Sequence, residues 1–232
     1  MAKVKSGTTK TEEKLLDLVE VQAKTKSFFE HNQQRISIVG GAILLGIAGL
    51  VAYFLLYQKP RQQRAVEQMM VAQQQFEKDS FKQALTNPGG GYSGFLDIID
   101  SYSGTKAANL AKYYAGICYL HLGQFDGAIA MLNEFNPHDE ATPITRLGAL
   151  ADAYSEKKDF VSAISNYKKA ISAGNNELLT PYYIKKLGML YLFQKDNASA
   201  LNEFNALKKQ YPLSPEASDV DKYIAKAGGS AE

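Results

Sequence analysis

Tyr119, Tyr154 and Tyr191 recur at intervals of 35 and 37 residues, and Ala128, Ala163 and Ala200 recur at the same two intervals. A period of this length, carried by matched small and aromatic residues, means one supersecondary unit repeated along the chain, each copy burying its apolar face against the next. From Gly94 onward no strand pattern appears. Stretches of helical spacing about a dozen residues long alternate with short polar turns, which predicts an all-α domain.

Each copy has a small residue, an aromatic one, a second small residue and then a large one, with further matched positions after it. They are Gly116, Tyr119, Ala128, Leu132 and Phe135, then Ala151, Tyr154, Ala163, Tyr167 and Ala170, then Gly188, Tyr191, Ala200, Phe204, Leu207 and Pro212. Small residues let two antiparallel helices approach closely, and the large ones fill the space between neighbouring pairs. The turns "GQF", "KKDF" and "QKDN" join the helices, while Thr142-Pro143 and Thr180-Pro181 supply an expected N-cap and first helical residue. Ala72 and Ala84 have the same twelve-residue spacing as the later pairs and mark a degenerate first pair. At the other end Ser214 and Pro215 open a capping helix whose Ala217, Val220, Tyr223 and Ile224 face back on the array.

This pattern resembles the tetratricopeptide repeat family. The resemblance implies an α-solenoid of about three repeats over residues 61–232, with a concave surface built from the first helix of each pair and used to hold protein or peptide partners. By the resemblance the inward positions are Leu110, Tyr113, Ile117, Leu120 and His121, then Thr145, Asp152, Ser155 and Glu156, then Tyr182, Lys185, Met189, Leu192 and Phe193. The two ends of this surface are apolar and its middle is acidic. Asp152 is therefore expected to repel an anionic ligand, with Lys185 as the cation present.

The second constraint is "ISIVGGAILLGIAGLVAYFLLY", residues 36–57, a run of 22 residues without a charge. As a helix it is about 33 Å long, enough for a hydrocarbon core of about 30 Å. A buried core helix and a cleaved signal peptide are the alternatives, and the second fits poorly. The 35 residues before the run contain five acids, and "AYFLLYQKP" offers no small-x-small cleavage site. Ser37 with Gly41, Ala42 with Gly46 and Ala48 with Ala52 are small-xxx-small pairs that let a second helix approach the span. Residues 1–35 read as a short tail with an amphipathic helix, Thr11 as its cap and Leu15, Leu18, Val19 and Gln22 at helical spacing.

Basic residues tie at the two flanks, with Lys24, Lys26 and Arg35 on one side and Lys59, Arg61 and Arg64 on the other. The tail as a whole holds seven Lys and Arg, whereas a long domain translocates largely regardless of charge, so the tail is expected inside and the domain outside. Beyond the span, Pro60 is expected to end or kink the helix. "NPGGGYSG" then forms a flexible link.

Several function classes are disfavoured. A net charge of +2 with scattered Lys and Arg gives no nucleic-acid footprint. Gly89, Gly91 and Gly94 satisfy G-x-G-x-x-G, but a Gln-rich helix precedes them where a dinucleotide fold needs a strand. The single cysteine, Cys118, excludes an intramolecular disulfide, and with His121 it lies in the first helix of a repeat rather than in a catalytic loop. His138, Asp139 and Glu140 fall in a loop between units, and Asp97 and Asp100 on one helix face are expected to be solvated. No catalytic residue, cofactor, metal or small-molecule substrate is expected.

The order of a short tail ending in "SFFEHNQQ", a glycine-rich span and a repeat domain also resembles the YfgM-type ancillary subunits of the bacterial SecYEG translocon. That resemblance implies a single-pass protein of the cell inner membrane, with its N-terminus cytoplasmic and its repeats periplasmic, passing clients of the Sec translocon to periplasmic chaperones. A scaffold for another envelope complex and a cytosolic-facing import or assembly receptor are the alternatives.

Overall fold

The structure, a computed structural model, describes the backbone of residues 10–229 and the side chains of residue 26 and residues 31–229. The chain divides into two compact units, Met1–Lys59 and Pro60–Glu232. Among the described residues there are helices and turns but no strand.

The first unit is helical throughout its described backbone. Helix α1 (Lys10–Tyr53) runs into a π-helical turn, Phe54–Gln58. The amphipathic pattern read around Leu15 and Val19, and the Thr11 cap, concern side chains outside the described ones. No residue of the most apolar stretch is buried within the protein, although the helix is long and apolar enough to cross a membrane. Just ahead of Pro60 the regular ladder gives way: the Lys59 N–H reaches back to the Phe54 carbonyl, five residues earlier. A π turn of this kind absorbs the register change that a residue without an N–H imposes on a helix.

The second unit holds α2 (Lys59–Glu77) from Pro60 onward, then the short helices α3 (Phe81–Thr86) and α4 (Phe95–Ser101). Ala72 and Ala84 are fully buried in one core cluster, and Phe76 of α2 meets Phe81 of α3 edge-on with ring centres 5.6 Å apart. The glycine link that splits α3 from α4 is tied down. Gln68 Oε1 accepts from the Ser93 amide at 2.8 Å, and Gln75 Nε2 donates to the Pro88 carbonyl at 3.1 Å. Glutamines of α2 thus satisfy loop backbone groups that helix bonds leave open.

Three regular antiparallel pairs follow. They are α5 (Lys106–His121) with α6 (Phe125–Glu134), α7 (Thr142–Glu156) with α8 (Phe160–Ser172), and α9 (Leu179–Phe193) with α10 (Asn197–Gln210). Ala128, Ala163 and Ala200 are all fully buried where the two helices of each pair touch. The capping segment differs from the single helix expected. Ser214 accepts from the Ala217 amide, but a 3-10 turn, Pro215–Ala217, comes first and α11 (Val220–Lys226) begins after it. Val220 and Ile224 are buried, and the Tyr223 ring stacks on Phe204 at 5.4 Å.

Two helix starts also differ from the sequence reading. Asp139, not Thr142, caps α7. Its carboxylate accepts from the amides of Ala141 at 2.9 Å and Thr142 at 2.7 Å, and from the Thr142 hydroxyl at 2.8 Å. Asn176, not Thr180, takes the amides of Leu178 and Leu179 at the start of α9, while buried Thr180 donates to the Gly174 carbonyl. In both cases an Asx side chain upstream reaches the free amides first.

Candidate protein-interaction cleft

The leading helices of the regular pairs, α5, α7 and α9, share one open cleft of about 790 Å³. Its walls carry Leu120 and His121 from α5, Asp152, Ser155 and Glu156 from α7, and Lys186, Met189, Leu190 and Phe193 from α9. Gly123, Phe125, Lys158, Phe160 and Tyr167 complete it from the turns and from α6 and α8. Met189 and Phe193 are 44% and 72% exposed, and both border the cleft. Phe193 is braced by Phe160, with ring centres 5.7 Å apart. On the opposite wall His121 stacks on Phe81 at 4.3 Å.

The floor is polar, and its construction begins with a glycine. A Cβ at Gly148 would sit 2.0 Å from the Tyr183 ring, so only glycine lets α9 press its tyrosine against α7. One turn further along each helix, Asp152 and Lys186 meet: Lys186 Nζ donates to Oδ1 at 2.7 Å and to Oδ2 at 2.6 Å. The Tyr167 hydroxyl from α8 donates to the same Oδ1. Burial opposes the charge of Lys186, but the Asp152 carboxylate outweighs it and holds the ammonium above its ordinary value. Burial, reinforced by the Asp152 charge, pushes the phenols of Tyr167 and Tyr183 above theirs.

Other inward positions named from the sequence fall elsewhere. Lys185 turns away to Asp219 at 2.5 Å and lies 5.2 Å from the Tyr223 ring centre, so it belongs to the capping contact. Neighbouring residues on a helix differ in direction by about 100°, and Lys186 takes the place in the cleft. Leu110 packs into the core around Phe95 and Ala111. Tyr113 and Ile117, together with Leu120, pack against Leu132, Ala149 and Leu150. Leu192 joins the core of the last pair, and Thr145 bonds back to its own helical turn. Tyr182 stays exposed, edge-on to Tyr183 at 5.0 Å. Lys186, Tyr167 and Phe160 line the cleft although they are not among the inward positions that the resemblance implies. The repeated Phe after the turn, Phe125 and Phe160, was the available signal for the last of these.

The paired helices stacked at this period agree with a family comparison. Residues 110–136 and 186–214 match the family model described as Tetratricopeptide repeat. At these two places the chain carries tetratricopeptide repeats. The two matched segments correspond to the first and third regular pairs. No curated protein and no solved structure matches the chain.

Outside the repeats, the small residues of α1 have no described neighbour. Ser37, Ala42, Ala48 and Ala52 are exposed, and a Cβ at Gly41 or Gly46 would meet nothing within 4 Å. Cys118 is fully buried, and burial pushes its thiol up to about 12, so the repeat keeps it as packing. Among the described residues no group of His, Cys, Asp and Glu has the arrangement to hold a metal ion.

Proposed function

We propose that the chain is a membrane-anchored interaction module whose cleft between α5, α7 and α9 holds a segment of a partner protein. The observation that carries this reading is the exposure of Met189 and Phe193 on the leading helix of the last pair, beside a cleft large enough for several side chains. Methionine and phenylalanine give adaptable apolar contact. An apolar helix with no buried residue in its central stretch supports anchoring, since water is a poor environment for such a face. The seven basic residues of the tail support a cytoplasmic N-terminus and a translocated repeat unit. The layout's resemblance to ancillary translocon subunits then supports a place at the cell inner membrane beside the Sec translocon, with clients and periplasmic chaperones as partners.

A photo-crosslinking residue at Met189 in intact membranes tests the reading. The expected products are secretory clients that vanish when secretion is blocked. A fixed envelope partner trapped without secretion load would replace it with an assembly scaffold. Orientation is checked by a cysteine in the Gly89–Gly91 link, because buried Cys118 does not compete for the reagent. An impermeant maleimide that labels it only after lysis would place the repeats in the cytosol.

A further inference from the structure

We propose that Asp152 sets the specificity of the cleft by cancelling Lys186, so that the cleft takes an uncharged apolar polypeptide segment and refuses an acidic chain terminus. The inference rests on the cleft being the partner site. An ammonium has three N–H donors and no acceptor. Two donors of Lys186 go to the two oxygens of Asp152, and its Nζ also lies 5.1 Å from the Tyr182 ring centre. Asp152 in turn accepts from Tyr167. Neither charge remains on offer, although both side chains stay in reach of a ligand, at 24% and 30% exposure.

The cancellation has a cause in the fold. Lys186 comes from α9 and Asp152 from α7, so the pair closes between consecutive repeats and is as fixed as the helices that carry it. A carboxylate arriving from outside must displace Asp152 from a two-bond contact with Lys186, leaving Asp152 with a lost partner beside a second anion. At the rim, Lys158 is exposed in water, where a lone cation adds little, and Glu156 stands two residues away with the opposite sign. What the cleft does offer is apolar surface from Leu120, Phe160, Met189 and Phe193. A neutral floor beneath apolar walls complements an uncharged apolar segment.

The test uses the full chain in nanodiscs, with an amidated fluorescent peptide of Leu, Ala and Phe and the same peptide ending in Asp and Glu with a free carboxylate. The wild type is expected to prefer the amidated peptide by about tenfold. Asp152→Asn keeps the shape and frees Lys186, and the ratio of acidic to amidated binding is expected to rise roughly fivefold or more, with the gain erased by salt. Lys186→Met added to Asp152→Asn is expected to abolish the gain, and thermal unfolding of each variant confirms that it is folded. Folded Asp152→Asn with an unchanged ratio overturns the charge rule alone, provided Phe193→Ala still weakens the amidated peptide. Wild type preferring the acidic peptide overturns the rule as well. Binding of neither peptide to the wild type overturns the cleft reading and the rule together.

Discussion

The first and third regular pairs differ from the middle one at the contact between their two helices. Gly116 of α5 lies against Leu132, and Gly188 of α9 lies against Phe204, both large apolar side chains that are fully buried. The middle pair has Ala151 and Tyr167 at the corresponding positions. Tyr167 is buried too, but it brings a hydroxyl, and a buried hydroxyl without a partner is costly. Asp152 supplies the acceptor and then needs a cation, which α9 supplies as Lys186. One apolar-to-phenol difference thus leads through two further polar groups to the floor of the cleft. The middle pair lies outside the segments that match the tetratricopeptide repeat family model. Repeats that share a packing rule can therefore differ in the chemistry they present, because packing fixes side-chain volume while the cleft exposes polar atoms.

Substitutions at equivalent positions break or sharpen this contrast. The largest effect is expected from Phe204→Ala, which empties an apolar contact and should lower unfolding free energy by about 3–5 kcal/mol in denaturant titrations of the membrane-reconstituted chain. Asp152→Ala should cost roughly 1–3 kcal/mol, because it strands the Tyr167 hydroxyl and the Lys186 ammonium. Tyr167→Phe should cost less, about 1 kcal/mol, since it removes one hydrogen bond and leaves the ion pair. If Tyr167→Phe and Asp152→Ala add without coupling in a double-mutant cycle, the network is not a unit and the contrast between pairs is one of shape alone.

Helix starts extend the comparison. Asp159 and Asp196 cap α8 and α10, each accepting the amide three residues on at 3.1 Å, whereas Gln124 at the start of α6 makes no side-chain cap bond. Gln124→Asp should therefore raise stability by about 0.5–1 kcal/mol, read as a higher Tm. The smallest effect concerns pH. Hydrogen bonds from Ser162 and Ser199 hold the Asp159 and Asp196 carboxyls below their usual value. A lowered folded-state pKa gives stability that is complete above the ordinary carboxylate value of about 3.9 and is lost as pH falls through the lowered one. Asp159→Asn with Asp196→Asn should flatten the acid limb of Tm against pH and leave neutral pH nearly unchanged. An acid limb as steep as the wild type would assign acid sensitivity to other carboxylates.

Legibility varied with how local the cause was. The close contacts at Ala72, Ala84, Ala128, Ala163 and Ala200 could be read because small residues at a fixed interval have few other uses in a helical repeat. The caps of α7 and α9 could not, because Asp139 and Asn176 compete with Thr142 and Thr180 for the same amides, and loop geometry decides between them. The glycine link read as flexible is instead bound by Gln68 and Gln75, and a run of glutamines gives no hint of which backbone groups it will meet. Lys185 and Lys186 illustrate the limit most sharply. Both suit a cleft by composition, and the rotation of α9 against α7 and α11 sends one to Asp219 and the other to Asp152.

The sequence by itself determined that the chain is an all-helical array of paired helices, preceded by one uncharged apolar helix. Period, residue size and absence of charge act within a unit or between adjacent ones, where chain connectivity already places the partners. Only the tertiary structure decided which charges face the cleft and whether they are cancelled there. Asp152 and Lys186 lie 34 residues apart on different repeats, and their meeting depends on Tyr183 settling over Gly148 so that the turns beyond come into hydrogen-bond range. A contact of that kind is fixed by how helices seat on one another, since hydrogen bonds act over about 3 Å and sequence spacing does not resolve so short a distance.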